Sequence, residues 1–338
     1  MTNKQVKELG IPHIESPFFP ILFDSEHQYY RYAEDMNRNG YTIIKANQLL
    51  PTSDFADRLV KEIREKFKID IPRRIQDLRD SVSIVEEFIH HPKLLELLKY
   101  LYGRNPFPFQ TLHFTHGSEQ HFHSDATHFN SMPERYMCGV WLALEDIGES
   151  QGPLEFYPGS HKFPIIENEH LGIDLLVEEK VDQESYEGVW RELVQTAGIA
   201  REKFIAKKGD IIIWAANLLH GGCKHTDYNK SRFSQVTHYY FNNCTYYSPM
   251  DSDKQHCFIK QRFDNIEGHQ GNDLHDSRKN VVDEFRASYQ SLIDQHRKLP
   301  NDFDAEKYLS LHRDVRDGGI NPVTHYILYG RYEGRSYK

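Results

Sequence analysis

The sequence predicts a mainly β fold with flanking helices. Residues 137–144 (MCGVWLAL), 211–220 (IIIWAANLLH) and 231–241 (SRFSQVTHYYF) have the length and the β-branched and aromatic content of strands. The first of these is a nearly continuous apolar run, the pattern of a strand covered on both faces. Twenty Tyr and 20 Phe suit a strand-rich domain with a large pocket, and would equally suit any β sandwich.

Helical spacing dominates the first hundred residues. Tyr29, Tyr32, Ala33 and Met36 recur at helical intervals up to Gly40, and YTIIKA then reads as a strand. Residues 51–67 form a second helix capped by Thr52 or Ser53, with Ala56, Leu59, Val60 and Ile63 as its apolar face. Pro92 divides residues 83–102 into two helices meeting at His91, and Gly103 closes the second. Residues 106–125 read as a hairpin, with FQTLHF and HFHSD as strands and THGSEQ as the turn. Alternation sends either Gln110, Leu112 and Phe114 or Thr111 and His113 toward a pocket, and the pattern leaves that choice open.

PLEFYPGSH is a strand ending in a Pro-Gly turn that contains Ser160 and His161. Residues 182–198 form an amphipathic helix capped by Asp182, with Tyr186, Val189, Trp190 and Leu193 on one face and Gly198 at its end. Its place between two strand regions makes it a candidate lid, or a plain surface helix. The strand delivering His220 follows a turn at 207–210. The next strand carries Arg232, Ser234, Val236, His238 and Tyr240 on one face and Phe233, Gln235, Thr237 and Tyr239 on the other. Residues 248–270 are polar and turn-rich, and 280–298 form a helix with a stripe of Val282, Phe285, Tyr289, Leu292 and Ile293.

At 338 residues the chain can bury a full core. Its formal charge of −9 and lack of a long basic run give no electrostatic footprint for DNA or RNA. No window approaches 18 consecutive apolar residues, and the N-terminus has no unbroken apolar region of the signal-peptide kind. The expectation is a soluble cytoplasmic protein with no membrane partner. The four cysteines are widely spaced without a C-x-x-C pair, which fits reduced thiols.

The chemistry concentrates in residues 120–129, QHFHSDATHF. In an extended strand His123 and Asp125 share a face and can reach one metal ion. A third ligand has to come from elsewhere, and His220 in LLHGG is the candidate. Two imidazoles and one carboxylate on one face of an octahedron leave positions open for co-substrate and O2, the arrangement of non-haem Fe(II) oxygenases. His121 and His128 offer alternatives in the same stretch, and a polar strand end is the plainer account of H-x-D.

Together with H-x-D, the runs at 137–164, 207–222 and 231–241 keep the order and spacing of a known family. From about residue 30 to 245 the chain resembles the phytanoyl-CoA dioxygenase (PhyH-like) family of Fe(II)- and 2-oxoglutarate-dependent oxygenases. The resemblance implies a double-stranded β-helix (jelly roll, cupin-like) with helices outside the major sheet. It implies Fe(II) held by His123, Asp125 and His220, with 2-oxoglutarate and O2 as co-substrates and a small-molecule substrate hydroxylated, or otherwise oxidised, at an unactivated C–H. Arg232 matches the family's arginine for the distal carboxylate of 2-oxoglutarate, a grip suited to a guanidinium's paired donors. Ser234, Trp141 and Gln110 fall where the family lines the co-substrate. Asp125 argues for hydroxylation, desaturation or ring closure over halide transfer. The chain departs from the family at Gly222, where many members have Ser. The competing expectations are a cupin-type metal protein that does not use 2-oxoglutarate, and an inactive interaction component.

Residues 303–338 resemble a short module at the ends of bacterial glycosyltransferases, with FDxxxYLxxxxDV, then NP, then HYxxxGxxEGR, departing from it at His312 and Arg313. Two short helices joined at 318–322 are expected, with His325 as a core or capping residue. The expected organisation is an oxygenase domain over 1–247, a polar linker and packing helix over 248–299, and a helical module over 300–338 that serves a homodimer or partner contact.

Overall fold

A computed structural model describes residues 10–67, 71–175, 181–254, 259–262, 299–331 and 333–338. The helix expected at 280–298 lies outside the described residues. The chain forms two compact units, one within 1–167, 183–251 and 259–269, the other within 168–182, 252–258 and 270–338.

The first unit opens with α1 (Phe19–Leu22) and α2 (Tyr30–Asn39), the latter ended by Gly40 at φ 82° and followed by β1 (Tyr41–Ile44). Helix α3 (Thr52–Phe67) buries Phe55, Ala56, Leu59 and Ile63, and β2 (Arg74–Gln76) follows. Helices α4 (Ser83–Ile89) and α5 (Pro92–Tyr102) meet at His91, as Pro92 requires. The His91 ring caps α5 by accepting from the Lys93 N–H at 3.3 Å. Then come β3 (Pro106–Phe114), β4 (Asn130–Met132), β5 (Met137–Ala143), β6 (Leu154–Phe156) and α6 (Gln183–Ala197). Strands β7 (Glu202–Phe204), β8 (Ile211–Ala215), β9 (His220–Gly222), β10 (Ser234–Phe241) and β11 (Thr245–Tyr247) complete the unit.

Six strands form an antiparallel sheet in the order β1-β8-β5-β10-β3-β2, and β7-β6-β9 form a second sheet. Leu112, Trp141, Ile212, Trp214 and Val236 of the large sheet share an apolar cluster with Leu154, Phe156 and Phe204 of the small one. Two facing antiparallel sheets make the jelly roll that the resemblance implied. On its other side the large sheet presents Val140, Leu142, Ile211, Ile213, Tyr239 and Phe241 to a cluster that includes Leu59, Phe88, Leu97, Leu98 and Leu101 of the helices. Each such side chain, fully buried, stabilises the fold by about 1.5–3 kcal/mol. β5 is buried at every position, as its unbroken apolar run predicts.

Three local expectations are corrected. The hairpin over 106–125 does not form: β3 pairs with β10 and β2, and HFHSD contributes one isolated bridge at His123 before a 3-10 turn at Asp125–Thr127. β10 takes one edge of β3 along its length and the short β2 takes the other at Leu112–Phe114, next to the turn, so the segment after the turn has to find another neighbour. The run 211–220 is two strands, because the chain turns at 216–219 and passes from the large sheet to the small one. Leu218 N–H closes that turn on Ala215 O at 2.9 Å, and Ser124 Oγ holds Asn217 Oδ1 at 2.8 Å. The terminal segment has three short helices where two were expected: α7 (Ala305–Leu311), α8 (Arg313–Asp317) and α9 (Pro322–His325), the last continuing into a π turn.

In that segment Asp304 caps α7 by accepting from Glu306 and Lys307 N–H, both at 3.0 Å. Asn321 caps α9, with Pro322 at the first helical position. Tyr308, Val315 and Tyr326 form a small core, and the His325 ring packs into it through a 3.0 Å bond from Nδ1 to the Tyr308 hydroxyl.

Candidate metal centre

His123 and His220 are held together by their backbones. His123 N–H donates to His220 O at 2.8 Å, and His220 N–H returns the bond to His123 O at 3.0 Å. The 3-10 turn then carries Asp125 back beneath both rings, fixed by Ala126 N–H on Ala216 O at 2.9 Å. The common face expected from strand alternation is thus reached through a bridge and a turn. Ligand atoms of His123, Asp125 and His220 all lie within 4.8 Å of one another, and all three residues are buried.

Hydrogen bonds fix which ring nitrogens face inward. Nδ1 of His123 bonds to His121 O and Nδ1 of His220 to Leu218 O, both at 3.0 Å. A carbonyl can only accept, so each Nδ1 carries the proton, and each Nε2 presents its lone pair when the ring is neutral; burial favours that state in both rings, and Asp125 more than offsets it at His123. Those Nε2 atoms lie 3.6 and 3.7 Å from the two Asp125 oxygens. Burial alone would raise the Asp125 carboxyl, but His220, His123 and His238 around it hold it well below the usual carboxylate range. Burial lowers His220 to about 4, against the pull of Asp125. A neutral imidazole oriented by a backbone carbonyl beside an ionised carboxylate is the donor set a divalent transition metal needs.

The centre lines a cavity of about 230 Å³. Of the two sets left open on β3, Gln110, Leu112 and Phe114 face it. Arg232 also lines it, fully buried, with one guanidinium N–H donated to Ser234 Oγ at 2.9 Å and its Nε without a partner among the described residues. Burial pushes Arg232 down to about 10. Its guanidinium carbon lies 5.2 Å from the centre of the Trp141 ring, and Trp141 Nε1 is a second buried donor in the cavity lining without a partner among the described residues. Two orphaned donors in one cavity fit an anionic guest. Gln110 lines the cavity but is engaged, its Oε1 2.9 Å from His238 Nδ1. His121 and Ser160 are not among the lining residues; Ser160 Oγ instead accepts from Leu219 N–H at 2.9 Å.

Several contributors escape the sequence pattern. Trp214 Nε1 donates to Asp125 Oδ2 at 2.7 Å, and its indole fits because Gly139 lies opposite on β5, where any Cβ would collide with the ring. His238 places Nε2 3.8 Å from Asp125 Oδ2. Strand alternation puts it on the face of Arg232, but nothing else in the sequence singles it out. His128 lines the cavity, and burial, the larger cause, lowers it while Gln183 of α6 favours its protonated form. At Gly222, Ser118 Oγ occupies the space of the absent side chain, 2.5 Å from where a Cβ would stand, and Ser118 lines the cavity as well.

A family model described as Phytanoyl-CoA dioxygenase (PhyH) matches residues 36–232. The chain belongs to this family. Among relatives of the PhyH chain, a Danio rerio protein named "Phytanoyl-CoA dioxygenase domain-containing protein 1" is 38% identical over 76 residues, 21% of this chain and 26% of that protein. A Caenorhabditis elegans "Probable phytanoyl-CoA dioxygenase" is 25% identical over 165 residues, 46% of this chain and 50% of that one. The chain spans half or less of the length of these curated relatives. Among solved structures, the non-heme alpha ketoglutarate dependent carbocyclase SnoK from nogalamycin biosynthesis superposes with a TM-score of 0.52 at 15% identity, covering 66% of this chain and 88% of its own. The epimerase SnoN in complex with Fe3+, alpha ketoglutarate and nogalamycin RO gives 0.51 at 19% identity, covering 64% and 85%. Both likenesses are of fold.

Proposed function

We propose that this PhyH-family chain is a non-haem Fe(II)- and 2-oxoglutarate-dependent dioxygenase that hydroxylates, or otherwise oxidises, an unactivated C–H of a small molecule. The observation that carries the reading is the pair of Nε2 lone pairs and the ionised Asp125 converging in a cavity that also holds a buried guanidinium with an unpaired Nε. His123, Asp125 and His220 hold the iron. Bound there with 2-oxoglutarate and O2, iron supplies oxidation of the substrate C–H, with succinate and CO2 as co-products.

The chain's own residues bind and orient. Arg232 takes the distal carboxylate of 2-oxoglutarate, with Ser234 holding the guanidinium in place and Trp141 N–H available as a further donor. Gln110 and His238 line the cavity on the side of Asp125. Leu112, Leu154, Val236 and Trp214 wall the interior with apolar surface and exclude water. A cupin-type metal protein without 2-oxoglutarate would have no use for the buried guanidinium.

Residues 1–247 form the oxygenase domain in this reading, 248–299 a connecting stretch, and 300–338 a module for location or for contact with a partner or a second copy. A cytoplasmic setting belongs to the same reading. It fits the free Cys138 and Cys223 and the absence, among the described residues, of a helix long and apolar enough to cross a membrane. The test is anaerobic addition of Fe(II) and 2-oxoglutarate, watching for the weak visible charge-transfer band of the chelate. A band that appears with Fe(II) and 2-oxoglutarate together, and with neither alone, is expected; its absence in metal-loaded protein overturns the reading. Truncation at Leu299 should leave 2-oxoglutarate decarboxylation intact while altering oligomeric mass.

A further inference from the structure

Charges around the cavity do not cancel. In the proposed function, on which this inference rests, a divalent ion and Arg232 are matched in charge by Asp125 and the two carboxylates of 2-oxoglutarate. Two further guanidinium groups remain. Arg74, on the edge strand β2, lines the cavity beside Phe114, its register partner on β3. Arg262 lies over the ring of Phe129, its guanidinium carbon 4.5 Å from the centroid, and Phe129 is itself a cavity wall. Neither arginine forms an ion pair with a carboxylate among the described residues, whereas Lys45, Arg58, Arg135 and Lys208 each do.

The path from the metal centre to Arg262 is continuous. His238 Nε2 is 3.8 Å from Asp125, the His238 and Phe129 rings are 5.5 Å apart, and Arg262 covers Phe129. An acidic group held by Arg262 is therefore one imidazole and one phenyl ring out from the metal ligands. At about 230 Å³ the cavity is smaller than the range usual for ligand pockets. With 2-oxoglutarate inside, it has room for only the reacting end of a substrate, so the remainder has to extend beyond the lining, of which Arg74 and His128 are part and to which Arg262 is joined through Phe129. The neighbouring carboxylate from α6, Glu187, is engaged by Gln183, whose amide donates to it at 3.2 Å.

We propose that Arg74 and Arg262 form an oxyanion subsite at the cavity mouth, and that the substrate is a small molecule with a carboxylate or phosphate remote from the C–H that is oxidised. Guanidinium groups suit either oxyanion through paired N–H donors. The two chemistries differ in charge and geometry, so the test treats them separately.

The experiment uses full-length protein loaded anaerobically with Fe(II) and 2-oxoglutarate, titrated with inorganic phosphate, with butyrate, and with 1-butanol as the uncharged control, following the charge-transfer band and the unfolding temperature. Saturable binding of phosphate or butyrate without binding of butanol is expected, and whichever anion binds more tightly identifies the oxyanion. Arg74→Gln and Arg262→Gln should each weaken the anion by about tenfold, the loss of one charge-assisted contact, and Arg74→Lys should retain part of it. Arg74 is exposed on an edge strand, so its variants keep the fold available for comparison. Butanol binding as well as butyrate, or Arg→Gln variants binding anions like the wild type, would overturn the subsite. Absence of the band in the wild type before any titrant is added would instead overturn the underlying function.

Discussion

The indole N–H of Trp214 donates to Asp125 Oδ2 at 2.7 Å, and the Trp214 ring lies 4.7 Å from that of His220. One side chain from β8 of the large sheet thus orients the carboxylate and supports an imidazole of the same centre. Outer hydrogen bonds of this kind set ligand orientation and basicity.

Trp214→Phe keeps the ring and removes the donor. Affinity for Fe(II), or for Ni(II) as a redox-stable probe, should fall about 10- to 100-fold with circular dichroism unchanged. Equal metal affinity in the two proteins would show that Asp125 needs no orienting bond.

Asp125→Ala removes the charged ligand and should abolish 2-oxoglutarate-coupled oxidation. His121→Ala should matter far less, since only the backbone carbonyl of residue 121 contacts the centre, through His123 Nδ1. Iron retention measured on both proteins distinguishes these roles; loss of iron in His121→Ala alone would reassign the ligand.

Arg232→Ala should raise the 2-oxoglutarate concentration needed for turnover while iron binding persists. Deleting one partner of a buried charge-assisted pair costs on the order of 2–5 kcal/mol. A titration of succinate release against 2-oxoglutarate reads the change, and an unaltered curve would place the clamp elsewhere.

His113 and His161 lie away from the metal ligands, and burial lowers each to about 4 from an ordinary 6.5, with the Lys162 charge adding to the effect on His161. Between those pH values the unfolded chain binds protons that the folded chain refuses, so stability is full above about 6.5 and falls as pH drops toward 4. Each histidine contributes on the order of 1.4 kcal/mol per pH unit across that window. Urea midpoints at pH 7, 6 and 5 should decline, and His113→Gln should flatten the decline.

A Cβ at position 221 would stand 2.8 Å from Gln120 O and 3.0 Å from the Phe122 backbone. Gly221→Ala must therefore push β9 away from the segment that carries His123. Stability should fall by about 1–3 kcal/mol and metal affinity with it, measured by denaturant titration with and without Ni(II).

Much of this was legible in local pattern. Pro92 announced the break between α4 and α5, and Gly40 the end of α2. The unbroken apolar run of β5 announced a strand with no solvent face. The grouping of His123, Asp125 and His220 was legible through the family resemblance, since H-x-D alone has a polar strand end as its plainer account. What escaped depends on contacts between distant elements. The turn at 216–219 exists because the chain changes sheets, which no periodicity within 211–220 records. Trp214 reads as one more apolar strand residue until Gly139 is seen to vacate the space beside it. Ser118 at the vacancy of Gly222 belongs to a loop whose position depends on which strands β3 has already taken as partners.

The paired backbone bonds between His123 and His220 have a mechanical consequence. They work as a clasp, and the chain between its two sides includes β4 to β8 and α6. An ion gripped by both imidazoles fastens that clasp, so loading should stabilise the fold in proportion to the logarithm of free metal. It should also change how the molecule breaks. A protease cut within the enclosed span would leave the two fragments joined by that clasp as well as by the pairings of β8 with β1 and of β5 with β10, and a chelator would weaken the join.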